Sequence, residues 1–243
     1  MSTLILDIET VGHKWEDIDE ITRESLTKQI SGVDSKKEKE SKLLDVKNRL
    51  ALFPFTGSIV SLAIYDLERS LGAVYYVSDT LGETFSDETF TYKERTESEI
   101  LEDFWEGALE YDTFVSFNGR SFDMPFILHR SVVNEVRPTV DIAQGRYLSK
   151  QTIPYHVDLL DELTFYGAMQ KRPSLHQVCV TYGIESPKAG GVSGEDVAEL
   201  FLQKKFRDIA TYNARDVIAI TTLYKKWKTY LAPASFINST EML

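Results

Sequence analysis

The sequence predicts an α/β fold, a mixed sheet flanked by helices, with a helical insertion after the first strand. Three observations carry that prediction. Residues 3–9, Thr-Leu-Ile-Leu-Asp-Ile-Glu, form an apolar run of the kind buried on both faces inside a sheet. Residues 58–66 and 72–77 are two more strand-like runs separated by a short turn, which together read as a hairpin. Further along, Ile100, Leu101, Phe104, Trp105 and Ala108 recur at helical spacing between Glu97 and Leu109.

The other elements follow in order. Residues 13–50 are polar, with nine basic and nine acidic residues between Lys14 and Arg49. They predict one or two solvated helices with a hinge near Ser31-Gly32. Their apolar positions are too sparse for an independent core, so the segment is an appendage rather than a second domain. Asp112 to Phe117 is a strand, and Asp123 to Arg130 a helix with Pro125 harmlessly placed in its first turn. His156 to Leu160 is a short strand or turn leading into a helix through Phe165. Ser174 caps a helix over Leu175 to Tyr182, and Gly183 ends it. Residues 186–194 form a flexible loop, and residues 195–203 and 205–230 are helices. The expectation is one domain over residues 1–230, with 231–243 as a C-terminal tail, loose after Pro233.

Composition narrows the function. Apolar residues at 42% and charged residues at 27% exclude a wholly disordered chain. No stretch approaches the ~18 apolar residues of a membrane span. The first apolar run, Leu4 to Leu6, is too short for a secretory signal and runs into Asp7. One cysteine, Cys179 in an apolar stretch, rules out a disulfide scaffold, and a cytoplasmic location is the default. With 27 basic and 38 acidic residues the net charge is −11. A chain this acidic needs bound cations or local basic patches if it handles nucleic acid.

Three local patterns carry chemistry. Asp7 and Glu9 lie two apart on an apolar strand, which puts both side chains on one face. Buried carboxylates repel each other unless a cation offsets them, and a hard divalent ion suits oxygen ligands. The alternative is a strand end facing water. Asp123 follows a strand that ends in Asn118-Gly119 and opens a helix, where an acid is also ordinary capping chemistry. Tyr212 and Asp216 are four apart on a helix and share a face. A surface acid beside a half-buried tyrosine would look the same.

In order and combination, the three patterns resemble the DEDD superfamily of 3′–5′ exonucleases in its tyrosine subtype. The likeness is strongest to predicted stand-alone exonucleases similar to the proofreading domain of family B DNA polymerases. It rests on Leu6-Asp-Ile-Glu-Thr10, Asn118-Gly-Arg-Ser-Phe-Asp-Met-Pro125 and Tyr212-Asn-Ala-Arg-Asp216, with support from His156-Val-Asp-Leu159 and the Pro187 to Gly194 loop. It spans about residues 1–12 and 55–228. The histidine subtype would place its base at Thr211; the tyrosine subtype places it at Tyr212, as found here.

The resemblance implies a ribonuclease H-like fold and a two-metal phosphodiesterase using Mg²⁺ or Mn²⁺. Asp7 would bridge the ions, Glu9 and Asp216 would complete one site, and Asp123 would serve the other, partly through water. Tyr212 would orient the attacking water; with a pKa near 10 it is a poor base. Thr10, Asn118 and Phe122 are the implied substrate contacts, although Phe122 is as readily a core residue. Arg120, Arg146, Lys171, Arg172 and Lys188 can each meet phosphate or simply face solvent. His156 fits a structural hydrogen bond better than a metal site, and Gly190-Gly191 matches no nucleotide-binding fingerprint. The expected substrate is a single-stranded 3′ end, DNA before RNA, without a membrane and with room for a separate polymerase or repair partner. The rival readings are an exoribonuclease and a catalytically silent ribonuclease H-like binding module.

Overall fold

The computed structural model describes residues 1–80, 82–191 and 194–241. Among these, a seven-stranded mixed sheet has the order β4-β5-β3-β2-β1-β6-β7. The strands are β1 (Thr3–Gly12), β2 (Gly57–Asp66), β3 (Leu71–Tyr76), β4 (Thr84–Ser86), β5 (Phe90–Glu94), β6 (Thr113–Ser116) and β7 (Tyr155–Asp158). β1 is central. It pairs antiparallel with β2 and parallel with β6.

The sheet separates two apolar layers. Even-numbered residues of β1, Leu4, Leu6 and Ile8, pack with α3 (Glu97–Ala108) and α4 (Asp123–Val133). Ile5, on the odd face, joins Val115 and Val157 under α8 (Phe206–Tyr230) and α6 (Leu175–Tyr182). The period of two thus sorts β1 into two cores and leaves Asp7 and Glu9 on the α8 side. α5 (Leu159–Leu163) follows β7, and α7 (Val197–Leu202) precedes α8.

The insertion forms α1 (Glu20–Thr27) and α2 (Lys36–Arg49), as the charge pattern predicts, with the break after residue 27. Neither helix buries a residue. Local caps hold their starts: Asp19 accepts from the Thr22 N–H and Ser35 from that of Glu38. The expected stop at Gly183 is also found, with φ of +66°.

Four expectations need correction. β1 continues to Gly12, with a bulge between Glu9 and Thr10, instead of ending at Glu9. Residues 84–94 form the β4–β5 edge of the sheet, which the sequence pattern did not predict. The tail is a helix, α9 (Ala234–Glu241), whose Phe236 is buried against Trp227 and Tyr155. In the expected loop 186–194, Pro187–Gly190 is a 3₁₀ turn and Gly194 opens another; Val192 and Ser193 lie outside the described residues.

Candidate active site

β1 and α8 supply the centre of the site. Oxygens of Asp7, Glu9 and Asp216 lie within 4.8 Å of one another. Glu9 is 9% exposed and Asp216 is 5% exposed. Asp123 stands beside this triad rather than in it. It is buried at the first position of α4, and its Oδ1 accepts the Ile8 N–H at 3.1 Å. That bond pins the start of α4 to the strand that carries Asp7 and Glu9.

The electrostatics of these groups follow from burial. Desolvation pushes Asp7 well above the ordinary carboxylate range, and the charges of Asp123, Asp216 and Glu9 push it further. Glu9 is raised by burial, then by Asp216 and Asp123. Burial also lifts Asp123 and Asp216 to about 7, although backbone N–H groups oppose this at Asp123 and Tyr212, Lys188 and Arg215 oppose it at Asp216. Four carboxylates in this state lack enough positive charge nearby. Hard oxygen donors within 4.8 Å suit a divalent ion, which would offset their repulsion. The residues present therefore fit such an ion.

Tyr212 shares its helical face with Asp216, whose carboxylate is among the acids that raise the phenol's pKa. Burial first, and the neighbouring acids second, hold the phenol protonated well above its ordinary range.

Asn213 is a residue to which the sequence pattern assigned no role. Its Nδ2 donates to Asp7 Oδ2 at 2.7 Å, while its Oδ1 accepts from Ser61 Oγ at 2.8 Å. Ser61 pairs with Glu9 across β1 and β2, and both Ser61 and Asn213 are fully buried. The accepting carboxylate selects the amide's N–H₂ for the Asp7 side, and the Ser61 hydroxyl, free to donate, meets the Oδ1 on the other. The signal was an amide inside Tyr-x-x-x-Asp, next to the expected orienting residue.

The turn before α4 has its own support. Asn118 sits at φ +68°, and a Cβ on Gly119 would come within 2.0 Å of Ser116 Oγ, so glycine is required there. Asp158 holds the turn from below: it accepts the N–H of Asn118 at 2.9 Å and of Arg120 at 3.0 Å, and also caps α5. His156, pushed down to about 3 by burial, is neutral and bonds Ser116 at 2.8 Å. That is the structural role expected of it.

The implied substrate contacts fare differently. Phe122 is half-buried, with its ring 5.0 Å from that of Phe126. Asn118 Oδ1 accepts from Arg172 at 2.8 Å. The Thr10 hydroxyl donates to the Ala51 carbonyl at 2.6 Å, just past the bulge in β1. Arg120 and Arg146 pair with Asp161. Lys188 lies near enough to draw the Asp216 pKa down. Lys171 is exposed, with no bond or ion pair to it among the described residues.

A mixed sheet with an acidic triad where its central strand meets a long C-terminal helix is the architecture of a ribonuclease H-like nuclease. Residues 68–239 match the predicted 3′–5′ exonucleases related to the exonuclease domain of PolB, and the chain belongs to that family. No curated protein matches it. The matched residues include Asp123, Tyr212 and Asp216 but begin after β1. Asp7 and Glu9 are joined to them by the fold.

Proposed function

We propose that the protein is a metal-dependent 3′–5′ exonuclease acting on single-stranded ends, DNA in preference to RNA. The observation that carries this reading is the convergence of Asp7, Glu9 and Asp216 oxygens within 4.8 Å, with Asp123 beside them. Two Mg²⁺ or Mn²⁺ ions would bring +4 against the four carboxylates and stabilise charge on the attacking and leaving oxygens. Asp7 would lie between the two positions, Glu9 and Asp216 on one side and Asp123 on the other. Asn213 holds the Asp7 carboxylate in one orientation. Tyr212 aligns the attacking water by hydrogen bonding and takes no proton.

In the reaction, a water oxygen bonds to the terminal phosphorus as its bond to the neighbouring 3′ oxygen breaks. That oxygen leaves with a proton, and a nucleoside 5′-monophosphate is released. Membership of a family related to a DNA polymerase exonuclease domain supports DNA as the substrate. Among the described residues no helix is long and apolar enough to cross a membrane. Action in the cytoplasm, alone or beside a separate polymerase or repair partner, fits this reading.

The test uses Mn²⁺ and matched 5′-labelled DNA and RNA strands, with Asp7→Ala as control. The expected result is a ladder shortening from the 3′ end with the native protein only, faster on DNA. A faster RNA ladder would make it an exoribonuclease. No cleavage of either strand would leave a silent binding module.

A further inference from the structure

The end of the insertion carries a feature the site does not use. Phe53 and Phe55 are 51% and 60% exposed, although large aromatic side chains are usually mostly buried. Their ring centroids are 5.0 Å apart, and Phe55 lies 4.6 Å from the ring of His129 on α4. His129 is exposed as well. Three solvent-facing aromatic rings thus stand in series.

Two tethers tie this row to the carboxylates. On one side, Thr10 follows Glu9 directly and bonds the Ala51 carbonyl, two residues before Phe53. Thr56 closes the same turn, donating its N–H to Phe53 and its hydroxyl to Leu50, while the His13 N–H bonds the Thr56 carbonyl. On the other side, His129 lies six residues after Asp123 on α4, or roughly 9 Å along the helix axis. At about 3.4 Å per stacked nucleotide, that axial rise alone corresponds to some three nucleotides.

Charge fits the same occupant. α2 holds six basic and three acidic residues, a net +3 in a chain of −11. Its last turn, with Lys47 and exposed Arg49, delivers the chain to Leu50 at the base of the aromatic turn.

We infer that Phe53, Phe55 and His129 form a stacking platform for a single nucleic-acid strand, holding the bases about three nucleotides back from the end that enters the site. The basic last turn of α2 faces the phosphates. This rests on the exonuclease reading and gives the insertion a role. It adds a base-stacking surface to a protein whose overall charge repels the strand. Ring stacking tolerates any sequence, as processing of arbitrary ends requires.

The test measures fluorescence anisotropy of 5′-labelled oligothymidylates, a trimer and a strand of about 12 nucleotides. It uses Asp7→Ala protein with Mn²⁺, with and without Phe53→Ala/Phe55→Ala. Both phenylalanines are exposed, so the double variant should fold, and its melting temperature checks this. The longer strand should lose about tenfold in affinity and the trimer far less. Equal losses on both, or no loss on the longer strand, would overturn the inference. So would a change from dimer to monomer in sedimentation, which would make the patch a contact between copies of this chain. Whether native protein cleaves the longer strand is read separately. Failure there would remove the exonuclease reading, while a length-dependent loss of affinity would still stand for the platform.

Discussion

The β1–α8 seam and the helical insertion carry charge in opposite ways. At the seam, Asp7, Glu9, Asp123 and Asp216 sit in apolar surroundings with few counter-charges, held by Asn213, Tyr212 and the Ile8 N–H. In the insertion, eighteen charged residues lie on or beside helices that bury nothing. Their few contacts are exposed, such as Lys42 to Glu38 and Lys47 over Trp15. The same residue types therefore behave differently. Water neutralises the insertion's charges at little cost, whereas burial at the seam makes four ionised carboxylates repel one another, which raises their pKa values.

The largest effect should come from breaking the seam's central carboxylate. Asp7→Ala is expected to lower 3′-end cleavage by about three orders of magnitude, the several kcal/mol that a metal site supplies. The same change should leave the metal-free fold intact and raise its melting temperature, because it removes a repelling charge. Gel-based rates and thermal melts check both halves, and a nearly native rate would remove Asp7 from the site.

The repulsion also sets a pH dependence. Unfolded carboxylates titrate near ~4. In the folded, metal-free protein Asp123 and Asp216 hold their protons to about 7, and Asp7 and Glu9 are raised as well. The folded state therefore binds more protons in between, and metal-free stability should fall as pH rises from about 4 through about 7. Millimolar Mn²⁺ should restore it, most strongly at the alkaline end, since binding to the native state stabilises it. Melting curves across pH, with chelator and with Mn²⁺, measure this. A flat metal-free profile would mean that the acids are not buried together.

Smaller losses should come from the residues that aim the site. Asn213→Ala leaves Ser61 and Asp7 without their shared partner and should cost roughly 1–3 kcal/mol of stability. It should also weaken metal affinity by about 10–100-fold, measurable by calorimetry. Tyr212→Phe should slow cleavage by up to about a hundredfold with metal affinity little changed, because it removes only the alignment of water. An unchanged rate would reduce Tyr212 to packing.

The exposed ion pairs of the insertion helices should give the smallest response. Glu38→Ala breaks the exposed pair to Lys42 and should shift stability by less than about 0.5 kcal/mol. Substrate affinity should depend only weakly on salt, because a chain of −11 makes few phosphate contacts. A titration of affinity against salt checks this, and a slope implying many contacts would contradict it.

Legibility in the sequence followed the range of the interactions. β1, the β2–β3 hairpin, α3, the capped α6 and the two insertion helices were readable because periodicity, caps and local charge decide them. β5 was missed although Phe90 and Tyr92 alternate with Thr91 and Lys93, since a five-residue strand is stable only through its pairing with β3 and β4. α9 was missed because its anchor, Phe236, finds Trp227 and Tyr155 only in the folded chain.

By itself, the sequence determined the α/β class, the solvated character of residues 13–50, and the pairing of Asp7 with Glu9 and of Tyr212 with Asp216 on shared faces. Each depends on spacings of two or four residues, set by backbone geometry. Tertiary structure alone decided that Asn213, 206 residues away, donates to Asp7, that Asp123 stands beside the triad rather than within it, and that Phe55 reaches His129. These contacts join segments distant in the chain. They arise only when burying two apolar layers fixes how the sheet and its helices meet.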